Sequence, residues 1–143
     1  MIGVEFLGHN SFSGLLDGFS VEEYDWYIYE SEIIINQTQC DFNGFIDVSE
    51  LKKILYDPKA LIIFLNLQAF PKKIKAEKIL NYNDFLLSSC AFVIFITDVS
   101  FVEIYAKSEE EILKFAKNAK SVSAENLTIK TQENDSRTYF CVV

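Results

Sequence analysis

Histidine and arginine are nearly missing from this chain, whose 143 residues hold one of each, His9 and Arg137. Chemistry at neutral pH leans on histidine for proton transfer and on guanidinium forks for carboxylates and phosphates, so little remains from which to build an active site. Cysteine is also scarce. Cys40, Cys90 and Cys141 are odd in number and share no short spacing, which argues against a disulfide framework and a Cys/His zinc site. The five glycines are scattered and no Asp-x-Asp-x-Asp-Gly run occurs, so neither a glycine-rich phosphate loop nor a calcium loop of that type is present. No cofactor and no metal are expected. The first residues, MIGVEFLGHN, lack the basic-then-apolar pattern of a secretory leader. The apolar run Ala60–Leu65 falls far short of the ~20 residues of a membrane helix. A cytoplasmic location, away from membranes, with reduced and mostly buried thiols is the expectation.

What the chain does have is apolar bulk and acid. Half of it is hydrophobic, with 13 Phe, 7 Tyr and a single Trp. Large rings bury on the order of 150–250 Å² each, so they can dominate one core, and the length suits a single domain spanning residues 1–143. The net charge is −8. Residues 1–57 carry 11 acids against 2 lysines, whereas residues 58–78 carry 5 lysines and 1 glutamate. An acidic surface repels phosphate backbones, so nucleic acid is not an expected partner. The run Pro71–Lys78 (PKKIKAEK) is the basic exception and reads first as a solvated loop, with phosphate binding as the lesser reading.

Periodicity supplies a coarse fold. Ile2, Val4 and Phe6 alternate as a half-buried strand. Phe12, Leu15, Leu16 and Phe19 recur at helical spacing, although Gly14 interrupts them. Trp26–Tyr29 and Glu32–Asn36 read as a hairpin or one bent strand, and Asn43-Gly44 as a type I′ turn. Asp47-x-x-Glu50 and Ser108-x-x-Glu111 resemble capping boxes, opening helices over Val48–Tyr56 and as far as Lys120. Asn83 is expected to cap a short helix at Asp84–Ser89. Ala60–Leu67 and Ala91–Thr97 read as strands buried on both faces, followed by an alternating strand at Phe101–Tyr105. Leu127–Thr131 and Thr138–Val143 read as closing strands joined by the polar run Gln132–Arg137. The class is α+β: a mixed, mostly antiparallel sheet with three to four helices packed on it.

Three segments, LIIFLNLQAFP (61–71), NYNDFLLSSCAFVIFITDVSFVEIYAKSEEEI (81–112) and ENDSRTYF (133–140), together resemble the family called domain of unknown function 2691. Its members are small proteins of Bacillus and related bacteria. The resemblance implies a Firmicute cytoplasmic protein and carries no activity, ligand or site residue.

The densest unusual patch is Val21–Glu32 (VEEYDWYIYESE). It interleaves Tyr24, Trp26, Tyr27 and Tyr29 with Glu22, Glu23, Asp25, Glu30 and Glu32. In a strand, Trp26 faces one side and Tyr27 and Tyr29 the other. Tyrosine and tryptophan anchor protein interfaces, and flanking acid favours a basic partner. The expected function is therefore non-enzymatic protein interaction, an immunity-like protein being one form. Its partner-binding residues would be Glu22, Glu23, Tyr24, Asp25, Trp26, Tyr27 and Tyr29. The first rival is a small hydrolase or transferase using His9, Cys90 or a pair among the turn aspartates Asp17, Asp41, Asp47 and Asp98. The second is a structural homo-oligomer, in which the terminal YFCVV adds a strand across a homodimer.

Overall fold

The computed structural model describes residues 1–8, 12–122, 124–137 and 139–140. It contains eight strands and three α-helices in the order β1 (Gly3–Leu7), β2 (Tyr24–Ile35), β3 (Thr38–Gln39), β4 (Gly44–Ile46), α1 (Val48–Tyr56), β5 (Ala60–Pro71), α2 (Tyr82–Leu87), β6 (Phe92–Thr97), β7 (Phe101–Ala106), α3 (Glu109–Ser121) and β8 (Glu125–Lys130). The strands form one sheet in the order β3-β2-β5-β6-β7-β1-β8, with β4 paired to the far end of β2. Every described pairing is antiparallel. The architecture is α+β, dominated by the sheet, and the expectation of a mixed sheet is corrected accordingly.

Two expectations about helices and turns are also corrected. Residues 13–18 form consecutive turns rather than a fourth helix, because Gly14 and Gly18 sit at φ 88° and 79°, in the left-handed region. The two-residue hairpin turn is Asn36-Gln37, at φ 50° and 65° between Ile35 and Thr38, whereas Gly44 already belongs to β4. The bent-strand reading of Trp26–Asn36 holds: β2 is continuous and is bent by register shifts between Ile28 and Glu30 and between Glu32 and Ile33. Gly3 has a steric reason, since a Cβ there would lie 2.1 Å from the backbone oxygen of Ile104 on β7.

The helix caps follow local chemistry. Ser108 Oγ accepts from the Glu111 backbone N–H at 3.2 Å, the first bond of the anticipated box, and donates to the Glu111 carboxylate at 2.9 Å, so that carboxylate is held by the cap hydroxyl. Asp47 occupies the N-cap of α1 but makes no side-chain cap bond. The α2 cap is Asn81 rather than Asn83, its side chain accepting from the Asp84 N–H at 2.8 Å.

The sheet is buried on both faces. On the first, α1 and α3 lay Leu51, Ile54, Ile112 and Phe115 over Val4, Trp26, Leu65, Phe92, Ile94 and Ile104. On the second, Ile79, Phe85 and Phe140 pack on Phe70, Val93, Phe95 and Tyr105. The longer helices α1 and α3 therefore cover one side, and the other is covered by short α2 and its flanks together with the segment after β8. Central strands are then largely apolar on both faces, which explains the runs Ala60–Leu65 in β5 and Phe92–Ile96 in β6, while Asn66 and Gln68 put polar groups on the second face. The expected closing strand is not formed at Tyr139–Phe140, while Thr138 and Cys141–Val143 lie outside the described residues.

Candidate functional site

The start of β2 is set by a short 3₁₀ turn over Val21–Glu23. That turn places Glu22 and Glu23 at the surface and aims the Trp26 indole inward, where Nε1 donates to the Val21 carbonyl at 3.0 Å. Trp26 is 1% exposed and packs with Tyr24 and Phe92. It is thus a core residue that floors the site, so of the residues expected to bind a partner Trp26 is the one held inside the fold. The cause is the strand's alternation, which sends Trp26 and Ile28 to the helix-covered face. Tyr24, Tyr27 and Tyr29 are half-buried. Tyr27 lies edge-on to the exposed ring of Phe45, on the neighbouring strand β4, with centroids 5.1 Å apart.

Two clefts flank Tyr24. The larger, of about 790 Å³, runs between the start of β2, the turn from β4 into α1, and the lysine loop after β5. Here the fold brings the basic loop onto the acidic segment. Lys72 Nζ lies 3.2 Å from the Asp25 carboxylate, and the Lys73 backbone N–H donates to it at 3.0 Å. These two bonds, the backbone one foremost, hold Asp25 below the usual carboxylate range. Asp25 is therefore satisfied within the chain.

The smaller cleft, of about 330 Å³, lies on the other side of Tyr24 and is lined by Glu23 with Glu110 and Glu111 from the first turn of α3. Lys114 also reaches it, but its ammonium donates to the Gly18 carbonyl at 3.1 Å and sits 4.9 Å above the Phe19 ring. Among the described residues, no ion pair engages Glu22, Glu23 or Glu110. Burial, followed by the charges of Glu111 and Glu23, pushes the Tyr24 hydroxyl above its ordinary pKa. Glu110 and Glu111 were not anticipated as part of this face. They come from a helix start far along the chain, where acid is already explained by the helix dipole.

The described groups of the hydrolase reading lie in different parts of the fold. Cys90 is fully buried, its thiol donates to the Phe92 carbonyl at 3.1 Å, and burial pushes its pKa up to about 12. A thiol in that state is protonated at neutral pH and is no nucleophile. Asp41 is spent on structure, accepting from the Ile33 N–H at 3.0 Å and from the Gln39 amide at 2.7 Å. Asp98 occupies the exposed turn between β6 and β7 at φ 52°. His9 and Cys141 lie outside the described residues. No group of three or more His, Cys, Asp or Glu arranged to hold a metal ion occurs among the described residues. No helix among them is long and apolar enough to cross a membrane.

The chain is 29% identical over 154 aligned positions, covering 98% of each protein, to the uncharacterized protein YncE of Bacillus subtilis (strain 168). No solved structure matches it. A family model described as a protein of unknown function (DUF2691) matches residues 2–141. The chain therefore belongs to the DUF2691 family, for which no function is established.

Proposed function

We propose that this is a cytoplasmic, non-enzymatic interaction protein whose acidic aromatic face, centred on Tyr24, docks a basic protein partner. The observation that carries the reading is the set of carboxylates around that ring: Glu22 and Glu23 from the 3₁₀ turn and Glu110 from α3, none of them ion-paired among the described residues. Unneutralised carboxylates beside a half-buried ring suit a lysine or arginine side chain, which gains both charge pairing and contact with the ring face. A net charge of −8 adds long-range steering toward a basic partner. Asp25, already bonded to Lys72 and Lys73, marks the edge of this face.

The test is co-purification of the tagged full-length chain at native expression, at low and high salt, beside an E23Q/E110Q variant. The expected result is one stoichiometric basic protein, lost at high salt and lost from the variant. With that partner in hand, the variant should associate about tenfold more slowly. Retention that ignores both salt and the two substitutions, or a chain that purifies alone, would overturn the proposal.

A further inference from the structure

The second face of the sheet holds a strip of polar groups where a permanently covered surface would carry apolar ones. Asn66 and Gln68 of β5, Glu103 and Tyr105 of β7, and Lys130 of β8 are each at most 4% exposed. The segment after β8, residues 131–137 with 139 and 140, lies across this strip and is anchored to it mainly through side chains. Asp135 accepts from the Tyr105 hydroxyl at 2.9 Å and pairs with Lys130 Nζ at 2.9 Å. Arg137 donates from Nε and Nη2 to one Glu103 oxygen at 2.9 and 2.6 Å, and its guanidinium carbon sits 4.0 Å from the Phe95 ring centroid. The Phe140 carbonyl accepts from Asn66 Nδ2 at 2.6 Å, and its N–H donates to the Leu80 carbonyl at 2.8 Å. The segment's described residues belong to no strand.

Burying ions costs several kcal/mol each before pairing, and replacing a buried ion pair with apolar groups is often neutral or stabilising. A surface that is always covered gains little from this chemistry. Gln68 sharpens the point, because among the described residues Oε1 is buried without a hydrogen-bond partner and Nε2 reaches the Asn66 oxygen at a long 3.4 Å. The same groups suit a surface that is covered part of the time, since each finds water once uncovered. We propose that residues 131–137 with Tyr139 and Phe140 form a strap latched by the Arg137–Glu103 and Asp135–Lys130 pairs, which lifts from the sheet as a unit without global unfolding and uncovers the Asn66–Gln68–Glu103–Lys130 strip. This device is independent of the Tyr24 face.

Native-state hydrogen exchange on the full chain, across low urea concentrations, tests it. The reporter is the Phe140 amide, compared with the ladder amides of β6. In the wild type, Phe140 is expected to exchange through an opening with little urea dependence and protection at least about 100-fold below that of β6. R137A should speed its exchange about tenfold or more beyond any change in β6. The double variant E103Q/R137M, which leaves no orphaned charge, should act in the same direction. Phe140 and β6 exchanging with one protection and one urea slope would overturn the strap, as would a Phe140 rate that neither variant raises.

Discussion

Arg137 and Glu103 meet across the second face of the sheet through two hydrogen bonds to a single carboxylate oxygen, at 2.9 and 2.6 Å. The glutamate side chain is 6% exposed and the arginine 21%. Removing one partner of a buried pair ordinarily costs about 3–5 kcal/mol, because the other charge is left buried and unpaired, but without Arg137 the Glu103 carboxylate still holds Lys130 Nζ at 2.9 Å. Here the strap can swing aside and return Glu103 to water. R137A is therefore expected to lose only about 2 kcal/mol in urea unfolding, with E103Q/R137M losing less. A full loss in R137A, with no local opening, would mean that Glu103 stays trapped beneath its cover.

Alkali is expected to undo the same cluster. Burial, then the charge of Glu103 and the hydrogen bond to Asp135, raises the Tyr105 pKa above its ordinary value. Lys130 is also raised: burial alone would lower it, but hydrogen bonds and charge from Glu103 and Asp135 outweigh that. Both groups keep their protons longer in the folded state, so their contribution is complete below the unfolded values near 10. It is lost as pH rises above them toward the folded values. Urea midpoints measured from about pH 8 to 12 should stay level with respect to these groups and fall above about pH 10. Y105F should fall less steeply, and an identical slope would show that Tyr105 does not take part.

Local chemistry was legible in the sequence. The Ser108 cap, the alternation of β1 and the apolar runs Ala60–Leu65 of β5 and Phe92–Ile96 of β6 all carry their signal within a few residues. The Asn36-Gln37 turn was not, because glutamine has no special tolerance for positive φ and the nearby Asn43-Gly44 pair is the stronger turn signal. The site was half legible. Glu22, Glu23 and Tyr24 are contiguous, but Glu110 joins them only through tertiary packing. Nor could the polar run around Asp135 and Arg137 announce that it straps Tyr105, Lys130 and Glu103, since a hairpin loop has the same composition.

Val99 presents the clearest backbone strain. It lies at φ 73° in the turn between β6 and β7, directly after Asp98 at φ 52°. Left-handed backbone costs an L-residue roughly 1–2 kcal/mol, and more at a β-branched side chain. The side chain is 38% exposed, so little packing is lost on its removal. V99G should gain about 1 kcal/mol after the entropy of glycine is charged against it. A scanning thermal melt should show this as a rise of a few degrees. An unchanged or lower midpoint would mean that Val99 contributes packing in the cleft beside Phe12 and Pro58 that outweighs its strain.

Gln68 offers a test in the opposite direction. With Oε1 buried and without a partner among the described residues, the closed state bears the desolvation of that acceptor, worth about 1–3 kcal/mol. Methionine has similar volume and no polar head, so Q68M should stabilise the closed fold by about 1 kcal/mol, the long bond to Asn66 being a small loss. It should also make an uncovered strip less favourable in water. The stability gain in urea should therefore be matched by slower exchange of the Phe140 amide relative to β6. A rise in global stability with no change at Phe140 would place Gln68 in a permanently closed core, and a drop in stability would show that its acceptor is satisfied in solution.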